Sequence, residues 1–239
     1  AQENDDFGYA RIQGELEKLG YTIGDEGIAN VLRRHNIPTA PDRGESPSWR
    51  HLMTHYKDQI LACDFFTVET LFLKTIYVLF FIELGSRRFH FAGCTTNPDG
   101  NWVTQQGRQL VWELEDCEPR PRFLIHDRDT KFTEGFDAVF RSEGMKIILT
   151  PYQAPNANSH AERWIRSARS ECLDKIIVVN QAHLRSVLTE YVEFYNTRRP
   201  HQGIGQQTPI VKMPVKGDGS VRKRPVLGGI LNDYYRMAA

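Results

Sequence analysis

Apolar and polar positions divide most of the chain into short strands and amphipathic helices. Three largely apolar segments, Gln59–Val68, Ile76–Leu84 and Phe89–Thr96, follow one another closely, which predicts a meander of three antiparallel strands. Helices and strands then alternate in the order helix Trp102–Leu114, strand Arg122–Ile125, helix Thr133–Glu143, strand Met145–Leu149, a helix from about His160 and a helix over about Gln181–Tyr195. A meander followed by alternation predicts an α/β fold with a mixed sheet flanked by helices.

The beginning of the chain predicts a small helical segment outside this sheet. Residues 8–19 and 25–35 have helical spacing and are joined by a short turn, which is typical of part of a helix-turn-helix and equally of a plain helical hairpin. Three prolines within residues 38–50 indicate a linker. We therefore predict a helical segment at 1–37, a linker at 38–54, a core at 55–210 and a basic tail at 211–239, either an extended arm or disordered.

Composition narrows the class of protein. Of 239 residues, 40% are hydrophobic, enough for a packed core. The four cysteines are far apart, which argues against a zinc or disulfide framework and favours a reducing, cytoplasmic compartment. The longest apolar run, Ile76–Ile82, is far shorter than the roughly 20 residues of a membrane span.

Charge is unevenly distributed along a chain of zero formal net charge. Residues 1–150 carry 17 basic and 23 acidic side chains, a net charge of −6, whereas residues 151–239 carry 13 and 7, a net charge of +6. The second part is either a surface that faces phosphate groups or an ordinary solvated face.

Three acidic residues stand at positions where local structure could bring them together. Asp64 interrupts an apolar strand, Asp127 follows a strand end, and Glu162 lies near a helix start. Each also has an ordinary explanation, as a solvent-facing strand residue, a turn acid or a helix-terminal acid. Together, three carboxylates would suit two Mg²⁺ or Mn²⁺ ions, which can support an in-line phosphoryl transfer.

The segment after Asn158 places one acid at the head of a basic helix face. Glu162, Arg166 and Arg169 stand at i, i+4 and i+7, so they share one face. A metal-bound carboxylate beside guanidinium groups suits a phosphodiester, whereas an exposed Glu162–Arg166 ion pair would contribute only about 0.3–0.5 kcal/mol.

Four motifs in order resemble a known family. The sequences CDFFTV, IHDRDTKF, NSHAERWIRSARSECLD and FYNTRRPHQGIGQQTP, with 35 residues from Asp127 to Glu162, resemble the catalytic core of integrase-like DDE transposases of bacterial insertion sequences, relatives of retroviral integrases. The resemblance implies an RNase H-like fold with a five-stranded mixed sheet, and Mg²⁺-dependent DNA strand cleavage and strand transfer. It also implies DNA partners, a homodimer or larger synaptic oligomer and a bacterial, cytoplasmic location.

The resemblance also assigns roles to particular residues. Asp64, Asp127 and Glu162 match the metal-binding catalytic acids, and Tyr152–Ser159 matches a mobile loop beside the active site. Where many relatives have glycine, this chain has Asp129, either an extra ligand or a loop charge; the choice between Asp127 and Asp129 stays open, and the 35-residue spacing favours Asp127. The residues expected to contact DNA are Asn156, Asn158, Arg163, Arg166, Arg169, Arg199 and His201.

Three functions remain open on the sequence alone. The first is an active transposase or integrase subunit. The second is an inactive or truncated relative that only binds DNA. The third is another nuclease on the same fold, because a fold by itself does not fix a function.

Overall fold

The computed structural model divides the chain into two compact units, Ala1–Tyr56 and Lys57–Ala239. It describes residues 7–35, 37, 55–115, 119–150, 159–210 and 219–237. In the first unit, α1 spans Tyr9–Lys18 and α2 spans Asp25–Arg34, close to the predicted bounds. Ile28 and Leu32, one turn apart on α2, are its buried residues.

The second unit contains the strands and helices that the sequence pattern predicts. Its regular elements are β1 (Ile60–Glu69), β2 (Thr75–Glu83), β3 (Phe89–Thr95), α3 (Gly100–Leu114), β4 (Phe123–His126), α4 (Glu134–Ser142), β5 (Lys146–Leu149), α5 (Ser159–Glu171), α6 (Gln181–Thr197), β6 (Val221–Val226) and β7 (Leu231–Arg236). Side chains at the N-caps define where α3, α4 and α6 begin, since Asp99, Thr133 and Asn180 accept hydrogen bonds from first-turn amides.

The first five strands form one mixed sheet in the order β3-β2-β1-β4-β5. β1, β2 and β3 are antiparallel neighbours, as the predicted meander requires, and β4 and β5 continue the sheet parallel to β1. This arrangement confirms the predicted five-stranded mixed sheet with flanking helices. It also places β1, which carries Asp64, at the centre and directly beside β4, which leads into Asp127.

The two faces of the sheet bury different helices. On one face, Leu61, Cys63, Leu79 and Phe81 pack against apolar residues of α3 and α4. On the other face, Phe66, Phe80 and Phe89 contact Trp164 of α5, with ring centroids 5.8, 5.3 and 3.5 Å apart respectively. Trp164 is only 1% exposed, so this aromatic cluster fixes α5 against the sheet.

Edge strand β3 is connected to α6 by side-chain amides. The Asn196 side chain accepts from Phe89 N at 2.9 Å and donates to Phe89 O at 2.7 Å, and Gln181 Nε2 donates to Cys94 O at 2.8 Å. These contacts satisfy backbone groups that an edge strand would otherwise leave unpaired.

The described part of the C-terminal tail is a β-hairpin rather than an irregular arm. β6 and β7 are antiparallel, with Val221 opposite Arg236 and Val226 opposite Leu231. The hairpin lies on α6, because Leu227 N donates to Glu190 Oε1 at 2.7 Å and Val226 is buried. Within the described residues, the search for a helix of sufficient length and apolarity to cross a bilayer found none.

Candidate active site

Strand pairing brings Asp64 and Asp127 to the same end of the sheet. The parallel β1–β4 ladder pairs Leu61 with Leu124 and Ala62 with Ile125. Asp64 lies two residues after Ala62, and Asp127 lies two residues after Ile125. Because neighbouring strands lie about 4.8 Å apart, the two acids emerge side by side. By alternation, Asp64 shares its face of the sheet with Phe66, which contacts α5.

Hydrogen bonds hold Asp127 and Asp129 in different ways. Asp127 Oδ1 accepts from the Asp129 amide at 3.0 Å. Asp129 instead accepts from Lys131, from its amide at 3.0 Å and its Nζ at 2.5 Å. Partial burial alone would raise the pKa of Asp129, but the hydrogen bonds from Lys131 outweigh it and lower that pKa. Asp129 is therefore already paired with a cation.

A buried histidine fixes the backbone that leads into Asp127. His126 is only 2% exposed, and its Nδ1 lies 2.6 Å from Asp127 O. Its Nε2 lies 3.0 Å from Asp137 Oδ1 on α4, and Asp137 in turn accepts from Arg141 Nη2 at 3.0 Å. A packed network on the α3–α4 side of the sheet thus supports the loop that presents Asp127.

Glu162 lies in the first turn of α5 and is exposed. Its helix is fixed by Ala161, Trp164 and Ala168, which are buried against the sheet. Since residues on a helix advance by about 100° each, Glu162 points away from that buried face. The arrangement gives two strand-borne acids firm positions and a third acid on the surface of a firmly packed helix.

The electrostatics of Asp64 reflect the other acids nearby. Burial, and then the negative charges of Asp127, Glu162 and Asp129, together raise the pKa of Asp64 from 3.8 to about 7, against a hydrogen bond from the Phe65 amide that lowers it. That amide donates to Asp64 Oδ1 at 2.7 Å. A buried carboxylate surrounded by other acidic groups is a position where a cation would be stabilised.

The donor chemistry of this group fits a hard divalent cation. Asp64, Asp127 and Glu162 offer carboxylate oxygens, the ligand type that Mg²⁺ and Mn²⁺ prefer. In the part of the chain that the structure describes, no three acidic, histidine or cysteine side chains already stand in a ready-made ligand arrangement.

Two of the predicted DNA-contacting arginines lie on the same face of α5 as Glu162. Arg166 is exposed and makes no hydrogen bond or ion pair with the described residues. Arg169 is also exposed, and its Nη2 donates to Thr67 O of β1 at 2.9 Å. This interaction anchors the last turn of the helix beside the strand that carries Asp64. The predicted face of Glu162, Arg166 and Arg169 is present in the structure.

The other described residues predicted to contact DNA lie elsewhere. Arg163 points to a different side of α5, where it lines a cavity with Arg199 and His201. Arg199 forms an ion pair with Glu171, at 2.5 Å from Nη2 to Oε1, and Tyr191 donates to the same carboxylate at 3.0 Å. His201 is buried and its Nε2 donates to Tyr195 O at 3.0 Å. Asn156, Asn158 and residues 152–158 of the predicted mobile loop lie outside the described residues.

Two cavity residues escaped the sequence analysis. Arg87 lies in the GSRR turn between β2 and β3, which we treated only as a polar separator, and its guanidinium contacts Nδ1 of His160. Burial and then the charges of Arg87 and Arg163 lower the pKa of His160 to about 4. A pair of arginines in a tight turn between buried strands is the signal that could have singled out Arg87.

Comparisons with known proteins agree with this architecture. A family model described as "Integrase core domain" matches residues 143–209, which include α5 and α6. The "Insertion element IS407 uncharacterized 31.7 kDa protein" of Burkholderia multivorans is 27% identical over 90 residues, which cover 37% of this chain and 32% of the relative. The matched part thus spans about a third of that relative's length.

Solved structures resemble the fold at low sequence identity. A simian T-cell lymphotropic virus intasome, determined with the PP2A regulatory subunit B56 gamma, contains a chain that matches with a TM-score of 0.51 and 10% identity, covering 75% of this chain and 67% of that one. The HTLV-2 integrase catalytic core domain in complex with magnesium matches with a TM-score of 0.48 and 10% identity, and the match covers 64% of this chain and 93% of that one. The first match supports the RNase H-like fold. The chain is therefore similar, over residues 143–209, to the integrase core domain that its four sequence motifs predict.

Proposed function

We propose that the protein is the catalytic subunit of a DNA transposase that cleaves and joins DNA strands. The observation that carries this proposal is the position of Asp64 beside Asp127 on adjacent strands, with Glu162 of α5 near enough for its charge also to raise the pKa of Asp64. A buried carboxylate with other carboxylates around it is costly to ionise unless a cation binds there. Two divalent ions bound there would activate the attacking oxygen and stabilise the leaving one.

Each acid has a distinct part in this proposal. Asp64 and Asp127 project from neighbouring strands and act as the fixed ligands, while Glu162 closes the site from α5. Asp127 is preferred over Asp129 because Asp129 is already bonded to the Lys131 side chain. His126 acts as a positioning residue, since it holds the carbonyl of Asp127 and is itself held by Asp137.

The basic face of α5 is the proposed binding surface for the reacting DNA strand. Arg166 is exposed without a partner among the described residues, and one turn of helix separates it from Glu162. A guanidinium there can bind the phosphate next to the scissile one. Asn156, Asn158, Arg163, Arg199 and His201 stay predictions as DNA contacts, and joining two DNA ends would require a dimer or larger assembly of the kind found in intasomes.

The proposal is tested by strand cleavage and strand transfer assays with Mg²⁺ or Mn²⁺ on duplexes taken from the DNA that flanks the coding sequence. Asp64→Asn, Asp127→Asn and Glu162→Gln should each reduce product formation by about a hundredfold or more, because each removes a metal ligand. Glu134→Gln provides the matched control, since Glu134 is an exposed first-turn glutamate on α4, across the sheet.

Three results would contradict the assignment. Strand transfer that persists undiminished in Glu162→Gln would remove the third acid from the site. Salt-dependent DNA binding without metal-dependent nicking would identify a protein that only binds DNA. Preferential cleavage of an RNA–DNA hybrid would identify a different nuclease on the same fold.

A further inference from the structure

A second basic site lies beside the head of α5 and does not include the three acids. Three separated segments line a cavity of about 420 Å³. Arg87 comes from the β2–β3 turn, His160 and Arg163 come from the start of α5, and Arg199 and His201 follow α6. The cavity is many times the roughly 30 Å³ that a water molecule occupies in the liquid, so a hydrated polyatomic anion has room there.

Helix geometry separates this cavity from the proposed active site. With about 100° between successive residues, His160, Arg163 and Ser167 share one side of α5, and Glu162, Arg166 and Arg169 share another. His160, Arg163 and Ser167 line the cavity, whereas neither Asp64, Asp127 nor Glu162 does. One helix therefore presents two differently oriented basic faces to solvent.

The charge of the cavity is not balanced from within. Arg199 is paired with Glu171, but Arg163 has no hydrogen bond or ion pair among the described residues, and the side chain of Arg87 is bonded to a histidine nitrogen. No aspartate or glutamate is among the described residues that line the cavity. Burial, and then the charge of Arg163, lower the pKa of Arg87, so each guanidinium experiences the other. Two nearby guanidinium groups without a counter-charge attract an anion.

Two further observations point to a bound group. Arg87 has a φ of 66°, in the left-handed region that favours glycine. Side chains kept at such strained positions are concentrated at functional sites. Trp164 also lines the cavity, and its buried indole Nε1 has no hydrogen-bond acceptor among the described residues. A buried donor without a partner is destabilising, and Trp164 is among the residues that would surround an anion in the cavity.

We propose that this cavity binds one phosphate group of a DNA backbone, held by Arg87 and Arg163, as a contact separate from the catalytic acids. Arg87 and Arg163, which line the cavity with no acid among its described lining residues, carry the prediction of an anion. Its identity as a DNA phosphodiester rests on the proposed function. Such a contact would fix the path of the strand across α5 and set how the strand enters the acidic site.

The test compares DNA binding by full-length wild-type protein, Arg87→Gln, Arg163→Gln and the double variant, using fluorescence anisotropy of a labelled 30-base-pair duplex between about 50 and 300 mM NaCl. Loss of one phosphate contact should reduce the slope of log K against log salt by about 0.9. Because both arginines bind the same phosphate, the double variant should lose little more than either single variant. Arg108→Gln, an exposed residue of α3 across the sheet, is the matched control and should leave the slope unchanged.

A second measurement uses inorganic phosphate alone. The indole N–H signal of Trp164, identified among the four tryptophans by Trp164→Phe, should shift in a saturable manner with phosphate at constant ionic strength. Arg87→Gln/Arg163→Gln should abolish that shift. A shift with phosphate but an unchanged salt slope would show a site for free phosphate and overturn the assignment to DNA.

The outcomes separate this inference from the proposed function. Metal-dependent strand transfer together with unchanged slopes and no Trp164 shift would overturn the phosphate site and leave the transposase assignment intact. Reduced slopes and a phosphate-induced shift in a protein that cleaves no DNA would support the phosphate site and refute the proposed function.

Discussion

Replacing Asp64 by asparagine should make the metal-free protein more stable at neutral and alkaline pH. In the wild type, the Phe65 amide donates to Asp64 Oδ1 at 2.7 Å. The side-chain oxygen of asparagine can accept the same hydrogen bond, but asparagine cannot ionise. In the folded protein, burial and then the neighbouring acidic charges raise the pKa of Asp64 from 3.8 to about 7. The variant therefore removes an unfavourable charge without removing that hydrogen bond.

The magnitude follows from the pKa. A rise from 3.8 to about 7, at about 1.4 kcal/mol per pH unit, gives a ceiling of about 4 kcal/mol above pH 7. Salt screens the part of this penalty that comes from the charges of the other acids. We therefore expect Asp64→Asn to raise the unfolding free energy by about 2–4 kcal/mol at pH 8.5. Because the folded state binds this proton more tightly, the penalty grows as pH rises from about 3.8 to 7, and at pH 4.5 it is only about 1 kcal/mol.

The assay is urea unfolding of both proteins at pH 4.5 and 8.5 with EDTA, supported by thermal scans. For a chain of this size a gain of 2–4 kcal/mol raises Tm by about 4–16 °C. Mg²⁺ should then stabilise the wild type in proportion to its occupancy but stabilise Asp64→Asn much less. Asp129→Asn is a control of opposite sign, because Lys131 lowers the pKa of Asp129 and its charge stabilises the fold above its unfolded pKa. A gain for Asp64→Asn that is equal at both pH values would refute the electrostatic reasoning.

Three further predictions concern the supports of the site. Asn196→Ala should reduce the unfolding free energy by about 2–4 kcal/mol in urea, since it leaves the N–H and C=O of Phe89 without their partner; a loss below about 1 kcal/mol would contradict this. Arg199→Ala should reduce the unfolding free energy by about 1–3 kcal/mol, because Glu171 loses its cation. The double variant Glu171→Gln/Arg199→Ala should recover part of that loss. Losses from the two single variants that simply add up in the double variant would contradict this prediction. Glu190→Gln should hasten amide exchange at Leu227 by weakening a 2.7 Å bond, with exchange in β1 unchanged.

Local patterns in the sequence determined the elements and the identity of the acids. The segment Ile60–Val68 of β1 is largely apolar with one charge, Asp64. The caps at Asp99, Thr133 and Asn180 are turn residues that specify helix starts through contacts within a few residues. The four ordered motifs similarly predicted the integrase core domain, whose family model matches residues 143–209. These features depend on neighbours along the chain, which is why they can be recognised without coordinates.

Only the tertiary structure decided which side chains meet. The parallel pairing of β1 with β4 puts Asp64 beside Asp127, and the packing of Trp164 sets the direction in which Glu162 and Arg163 diverge. No local pattern indicates that Arg87 of a tight turn contacts His160, 73 residues away, or that Arg199 forms an ion pair with Glu171. Burial, pairing and charge balance depend on contacts between distant segments, so they arise only when the sheet and its helices assemble.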